Sequence, residues 1–95
     1  MELAQVIKEQ SPSIVDVRQG FECVFGKAKD AVNIPLGEIP NRLDEFKAMK
    51  KPIVVYCRSG NRSGQAMKFL KANGIKEVYN GGSVGDVKSL QKLIG

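Results

Sequence analysis

A short apolar run that ends at a cysteine, followed by a polar turn and an amphipathic helix, constrains this chain more than any other feature. The run Ile53–Tyr56 is too short to be a helix and is typical of a buried strand. Cys57 follows it directly, and apolar residues at helical spacing resume at Ala66. The pattern predicts a strand, a turn and a helix, with the thiol at the carboxyl end of the strand.

The predicted surroundings of Cys57 favour the thiolate, which is the nucleophilic form of cysteine. The unpaired N–H groups and the dipole of a helix start attract negative charge, and a tight turn can form an anion-binding nest. Gly60 can take the positive φ that such a turn requires. Arg58 and Arg62 flank the thiol. A free cysteine in a strand is usually a small buried hydrophobe, but this polar and cationic turn favours an activated thiol.

The composition is that of one small globular domain, which we assign to residues 1–95, with 42% hydrophobic and 26% charged residues. No apolar stretch approaches the ~20 residues of a membrane span, and the first residues do not resemble a secretory signal. We therefore expect a cytoplasmic protein. The chain has no histidine, which excludes Cys–His and Ser–His catalysis and most zinc sites.

The net charge of +5 raises the question of nucleic-acid binding. The lysines are scattered, their longest run is Lys50-Lys51, and no aromatic residues are interleaved as stacking platforms. We predict a solvated surface that prefers small anionic substrates or partners, without nucleic acid or membrane. Because a cytosolic disulfide between Cys23 and Cys57 is disfavoured, we expect one catalytic and one structural thiol.

Apolar periodicity places helices and strands in alternation along the first half of the chain. Phe21 and Phe25 share one face of two predicted helical turns, and Cys23 is expected to pack among their apolar neighbours. The predicted elements are a helix with Leu3, Val6 and Ile7, a strand Ile14–Val17, the turns Gln19–Phe25, an extended piece Ala31–Pro35, and a helix that starts at Pro40 and carries Leu43, Phe46 and Met49.

The second half of the chain carries clear helix-end signals. Gly74 suits the C′ position of a helix, and Ile75 is expected to close on Leu70 in a Schellman motif. Ser83 and Asp86 have the spacing of a capping box. The predicted elements are the strand before Cys57, a helix from about Arg62 to Asn73, a strand Glu77–Tyr79, a turn Asn80–Gly82, and a last helix that presents Val87, Leu90 and Ile94 to the core.

This alternation predicts a small α/β fold with a central parallel β-sheet covered by helices on both faces. In such sheets ligands bind beyond the carboxyl ends of the strands, which is where Cys57 is expected. Asp16 and Arg18 lie at the end of the first strand, and we interpret them as a structural ion pair or a turn contact rather than as groups that take part directly in the chemistry.

Three stretches of the chain resemble, in order, the signatures of rhodanese-like domains. The loop stretch Val54–Ser63 is the most specific of the three. The chain departs from the family pattern at Gly26-Lys27-Ala28, where the family commonly has Gly-His-Ile, and it has no tryptophan after its Gly-Gly pair. The other matching residues are Ile14–Arg18 with Glu22, Gly26 and Ala31–Leu36, and Asn80–Gly82.

The resemblance implies a sulfurtransferase that needs no metal or organic cofactor. Cys57 would attack the outer sulfur of thiosulfate or a similar anionic donor, release sulfite and hold the sulfur as a persulfide. Cyanide in an assay, or a thiol or small thiol protein in the cell, would accept it. Asp16 and Arg18 would support the site, and the residues implied to bind the substrate are Arg58, Ser59, Gly60, Asn61, Arg62 and Ser63.

Three other functions remain open at this stage. A persulfide carrier would be loaded by a partner protein rather than by thiosulfate, and a non-catalytic interaction module would need no cysteine. A phosphatase or arsenate reductase would also use a cysteine in an anion-binding loop with an arginine. The loop has four residues between Cys57 and Arg62, whereas cysteine phosphatases resemble a pattern with five, and this difference favours sulfur over phosphorus chemistry.

Overall fold

A computed structural model describes residues 2–94, except for the side chain of Ile94. Within these residues there are four strands and four α-helices, with two 3₁₀ segments between them. In order these are α1 Leu3–Gln10, β1 Ser13–Asp16, a 3₁₀ turn Gly20–Cys23, β2 Val32–Asn33, a 3₁₀ segment Leu36–Arg42, α2 Leu43–Ala48, β3 Ile53–Cys57, α3 Asn61–Ala72, β4 Val78–Ser83 and α4 Val84–Ile94. None of the helices in this range is long and apolar enough to span a bilayer.

The four strands form one parallel sheet in the order β2-β1-β3-β4. All five residues of β3 are buried, as expected for a central strand of a parallel sheet that is covered on both faces. The predicted fold class is confirmed. Because the strands are parallel, their carboxyl ends meet at one edge, and Cys57 ends β3 at that edge.

Alternate residues of the strands divide the core into two layers. On one face, Val55 and Cys57 pack with residues of α2 and α3 such as Phe46 and Leu70. On the other face, residues of α1 and α4 meet the sheet; this layer contains Val6, Ile7, Ile14, Val54, Tyr56 and Val87. The alternation along β3 therefore places Cys57 on the side of α3, the helix that begins just after the loop.

Both predicted helix-end motifs are confirmed. At the end of α3, the N–H of Ile75 donates to the carbonyl of Leu70 at 3.0 Å and that of Gly74 to Lys71 at 3.2 Å, which is the Schellman pattern. At the start of α4, the Ser83 hydroxyl accepts from the N–H of Asp86, and the Asp86 carboxylate accepts from the N–H of Ser83.

The predicted helical turns Gln19–Phe25 are wrong, since only the 3₁₀ turn Gly20–Cys23 forms there. Phe21 and Phe25 do not form a buried face, because they are 75% and 99% exposed. Cys23 is not packed among them either; its sulfur lies 3.4 Å from the Asp16 carboxylate. The segment crosses the edge of the sheet, where strand ends offer polar rather than apolar partners.

The predicted turn Asn80–Gly82 is also wrong, because these residues lie within β4. Val55 pairs with Asn80 and Tyr56 with Gly82, so Gly81 is an extra residue in the manner of a β-bulge. A side chain at Gly81 would meet Val87 at 2.7 Å and Val54 at 2.9 Å. The glycine thus lets α4 pack closely on the sheet.

The helix predicted from Pro40 begins later than expected. Pro40 lies inside the 3₁₀ segment, and the α-helix starts at Leu43. Phe46 is fully buried, and Leu43 and Met49 pack against the same layer. For the last helix, Val87 is buried and Leu90 packs beside it, while the prediction for the side chain of Ile94 lies outside the described residues.

Candidate active site

The backbone around Cys57 turns sharply from β3 into α3. Cys57 is 0% exposed, and α3 begins only four positions later, at Asn61. Gly60 makes this turn with φ of 97°, a left-handed value that glycine takes without a Cβ penalty. A Cβ at Gly60 would also lie 3.4 Å from the Cα of Gly82 in β4. The requirement for a glycine therefore comes mainly from the left-handed backbone conformation.

The sulfur of Cys57 lies among hydrogen-bond donors. The N–H of Gly60 donates to Sγ at 3.0 Å and that of Ser63 at 3.4 Å, while the Ser63 hydroxyl is 3.4 Å away. Burial raises the pKa of the Cys57 thiol, but hydrogen bonds from Ser63, Gly60 and Ser59 outweigh it and lower the pKa to about 7. These hydrogen bonds therefore favour the thiolate over the neutral thiol.

The two arginines of the loop have different environments. Arg62 forms a two-pronged ion pair with Glu22, with both N–O distances at 2.9 Å. Its hydrogen bonds lower the pKa of the Glu22 carboxyl. Arg58 is exposed and forms no ion pair within residues 2–94. The sequence offered no acidic neighbour for the loop, yet Glu22 neutralises one of its two cations.

The remaining predicted site residues line the turn at different depths. Ser59 and Asn61 are exposed, Gly60 is partly exposed, and Ser63 is fully buried beneath the sulfur. The structure thus brings the backbone N–H groups of Ser59, Gly60 and Ser63 toward the Cys57 sulfur. Only Ser63 among the loop side chains contacts the sulfur, and the outward-facing ones form the rim of the site.

Asn80 is a site residue that the sequence pattern did not reveal. Its side-chain oxygen accepts from the Ser63 hydroxyl at 2.7 Å and from the N–H of Gly82 at 2.9 Å. Its side-chain nitrogen donates to the carbonyl of Gly60 at 3.1 Å. The amide therefore joins β4 to both sides of the turn. The bulge of β4 places it there, and no local motif predicts that position.

Asp16 and Arg18 form a buried ion pair beneath the same edge of the sheet, with a shortest N–O distance of 2.6 Å. Burial alone would raise the pKa of the Asp16 carboxyl, but its hydrogen bonds with Arg18 lower it. Arg18 also donates to the carbonyl of Gly26 at 2.8 Å and lies over the ring of Tyr56. The pair thereby anchors the chain that follows β1.

No group of three histidine, cysteine, aspartate or glutamate side chains within residues 2–94 is arranged to hold a metal ion. The site's chemistry is that of a thiol ringed by N–H donors.

The family model for the rhodanese-like domain matches residues 1–85. The chain belongs to this family. The resemblance of the chain to rhodanese-like domains is thereby confirmed.

Curated relatives of this rhodanese-like domain carry several names. A sulfurtransferase of Allochromatium vinosum is 39% identical over 70% of this chain and 62% of its own length. A putative sulfur carrier protein of Bacillus subtilis is 36% identical over 80% of this chain and 40% of its own. A tRNA uridine(34) hydroxylase of Hamiltonella defensa is 32% identical over 96% of this chain and 28% of its own. The chain thus spans less than two thirds of each.

Solved structures show the same fold. A CoADR-RHD chain of Bacillus anthracis superposes with a TM-score of 0.76 at 30% identity, covering 94% of this chain and 15% of the other. A rhodanese from E. coli solved with anions has a TM-score of 0.69 at 30% identity, covering 80% of this chain and 91% of the other.

Proposed function

We propose that this rhodanese-like domain is a sulfurtransferase that carries a sulfane sulfur as a persulfide on Cys57. The observation that supports the proposal is the position of the Cys57 sulfur at the end of the central strand. There it accepts hydrogen bonds from the backbone N–H groups of Gly60 and Ser63. These donors favour the thiolate at neutral pH and suit a second, anionic sulfur bound to the first. A thiol packed only against apolar side chains would have neither property.

The first step is an attack of the Cys57 thiolate on the outer sulfur of thiosulfate. A new sulfur–sulfur bond forms as the one within thiosulfate breaks, and the bonding electron pair leaves with sulfite. The negative charge then resides on the outer sulfur of the persulfide. In the second step an acceptor, either cyanide or a thiolate, attacks that outer sulfur and regenerates the Cys57 thiolate, so no redox partner is consumed.

The residues around Cys57 divide this task. The loop N–H groups stabilise negative charge on sulfur, and the exposed cation of Arg58 attracts the anionic donor. Arg62, which is bound to Glu22, braces the start of α3. Cys57 is fully buried, and we expect the donor to approach its sulfur from the side of the exposed loop residues. We also propose a cytoplasmic location, since two free cysteines suit a reducing compartment.

Intact-mass spectrometry after treatment with thiosulfate tests the proposal. We expect a gain of about 32 Da, one sulfur atom, in the wild type and in Cys23→Ala, and no gain in Cys57→Ser. Cyanide should then remove the added mass and release thiocyanate. A gain of mass in Cys57→Ser would overturn the assignment of the nucleophile.

The same experiment separates an enzyme from a carrier that a partner protein loads. One relative is named a putative sulfur carrier protein, which supports the carrier as the second candidate function. A carrier would gain no mass from thiosulfate alone but would accept sulfur from a protein persulfide. We favour the enzyme, because the exposed Arg58 offers a cation to a small anion at the rim.

Phosphatase activity is the remaining alternative, and loop length argues against it. There are four residues between Cys57 and Arg62. A loop of this length places its N–H groups around a space that suits one sulfur atom better than a phosphoryl group with its three oxygens. The guanidinium of Arg62 is already bound to Glu22. We expect negligible hydrolysis of p-nitrophenyl phosphate. Efficient hydrolysis that depends on Cys57 would overturn the sulfurtransferase proposal.

A further inference from the structure

The side-chain amide of Asn80 has a single possible orientation. Its nitrogen faces the carbonyl of Gly60, which can only accept, and its oxygen faces the N–H of Gly82, which can only donate. The oxygen must therefore also be the acceptor in its 2.7 Å contact with the Ser63 hydroxyl. The hydroxyl proton of Ser63 consequently points to Asn80.

A serine hydroxyl has only one proton to donate. While this proton points to Asn80, the Ser63 oxygen presents a lone pair to the Cys57 sulfur, 3.4 Å away. This arrangement suits a neutral thiol, whose S–H can donate to Ser63. A thiolate in the same place would face the lone pair. The thiolate gains a hydrogen bond from the Ser63 hydroxyl, in addition to those from the backbone N–H groups, only when the Ser63 proton turns away from Asn80.

We propose that Asn80 is a positioning residue that competes with the Cys57 sulfur for the proton of the Ser63 hydroxyl. Because Asn80 lies in β4 and Ser63 in α3, the hydrogen bond between these two elements then depends on the charge of the Cys57 sulfur. The role that we give to this competition assumes the sulfur transfer proposed above. In the free thiolate the proton turns to Cys57; once the persulfide forms, the charge lies on the outer sulfur and the proton returns to Asn80.

Removal of the Ser63 hydroxyl and removal of the Asn80 amide should shift the pKa of Cys57 in opposite directions. Without the Ser63 hydroxyl the thiolate loses a donor, so its pKa rises. Without the Asn80 amide the Ser63 proton is free to serve the thiolate, so the pKa falls. Asn80→Ala also releases Gly60 and Gly82 from their contacts, and this loosening must be separated from the proton competition. The separation is possible because the competition requires Ser63 and the loosening does not.

A double-mutant cycle on the pH dependence of Cys57 alkylation tests the proposal in a Cys23→Ala background. The four proteins are this reference, Asn80→Ala, Ser63→Ala and the double variant. We expect Asn80→Ala to shift the midpoint toward acid by about half to one pH unit more when Ser63 is present than when it is absent, as for one hydrogen bond. Asn73→Ala, which removes an exposed amide at the far end of α3, should leave the midpoint unchanged.

An equal shift with and without Ser63, or a coupling of the opposite sign, would overturn the proposal and leave Asn80 a purely structural role. If Asn80→Ala does not fold, Asn80→Asp provides the test, because its carboxylate keeps both acceptor contacts and holds the Ser63 proton more firmly. Its expected shift toward alkaline pH must then shrink in the Ser63→Ala background. No sulfur donor is used, so the result is independent of whether thiosulfate loads Cys57.

Discussion

The active-site loop Cys57–Ser63 and the segment Gly20–Gly26 each carry one cysteine, and they meet in the ion pair between Arg62 and Glu22. In each region, several residues have a burial that is the reverse of what their polarity indicates. The loop is polar, yet Cys57 and Ser63 are fully buried. The segment is rich in apolar residues, yet Phe21, Val24 and Phe25 are 75%, 71% and 99% exposed.

The contacts of the two regions explain this reversal. The loop must cross from the central strand to a helix on one face of the sheet, so the side chains at its two ends enter the core. The segment is held by polar contacts at the edge of the sheet: Arg18 with the carbonyl of Gly26, Cys23 with Asp16, and Glu22 with Arg62. At this edge, the path of the backbone decides which residues are buried, and hydrophobicity does not.

The largest effect is expected when the ion pair between Asp16 and Arg18, which holds the segment Gly20–Gly26, is removed. Asp16→Asn leaves the cation of Arg18 buried without its counter-charge, and we expect a loss of about 3–5 kcal/mol in the free energy of unfolding at pH 7. Urea denaturation measures it. A loss below about 1 kcal/mol would show that the segment does not depend on this anchor.

The pH dependence of the same variant provides a control. Because Arg18 lowers the pKa of Asp16 in the folded protein, the contribution is complete above the unfolded pKa of about 3.9 and is lost as pH falls through the folded pKa. The difference between wild type and Asp16→Asn should therefore shrink in acid. A difference that stays constant down to pH 2 would contradict the ion-pair explanation.

The second effect concerns the two thiols. The pKa of Cys57 is lowered to about 7, whereas burial and the Asp16 carboxylate raise the pKa of Cys23 above its ordinary 9.0. We expect alkylation midpoints that differ by at least about two pH units, with the Cys57 rate levelling off above pH 8 while the Cys23 rate still rises. Peptide mapping after iodoacetamide pulses measures both. Coinciding midpoints would remove the distinction between the two regions.

A smaller effect is expected at the ion pair that joins the regions. Glu22→Gln frees the charge of Arg62, so we expect the KM for thiosulfate to fall about threefold with little change in kcat. Arg58→Ala should raise KM instead. Glu45→Gln breaks a similar ion pair with Arg42 away from the site and is the matched control. Equal changes in the Glu22 and Glu45 variants would indicate a general charge effect.

The smallest effect is expected at the most exposed aromatic residue. Phe25→Ser should change the free energy of unfolding by less than about 0.5 kcal/mol, because Phe25 is 99% exposed. Phe46→Ala, at a fully buried phenylalanine, should cost about 3–5 kcal/mol. Thermal or urea unfolding compares them. A cost for Phe25→Ser near that of Phe46→Ala would place the segment in the core after all.

Much of the fold, and the position of Cys57 at the end of the central strand, could be predicted from short stretches of sequence. The apolar run before Cys57 and the glycine of the turn predicted the loop between β3 and α3, and Gly74 predicted the end of α3. Each of these signals acts over a few residues through backbone preferences, which are the same wherever the segment lies. The alternation of strands and helices was enough to predict the parallel sheet and both covered faces.

The partners of the loop were decided only by the tertiary structure. Glu22 is forty residues from Arg62, and Asn80 is seventeen from Ser63; no local spacing relates them. The bulge at Gly81 lies next to Asn80, and a Cβ at Gly81 would meet Val87 of α4, so a helix distant in sequence restricts this position to glycine. The sequence by itself determined that Cys57 ends a buried strand and that a tight turn and a helix follow it. Only the packing of distant elements decided which side chains contact this turn, because hydrogen bonds and ion pairs depend on distances of a few ångströms that no stretch of sequence sets alone.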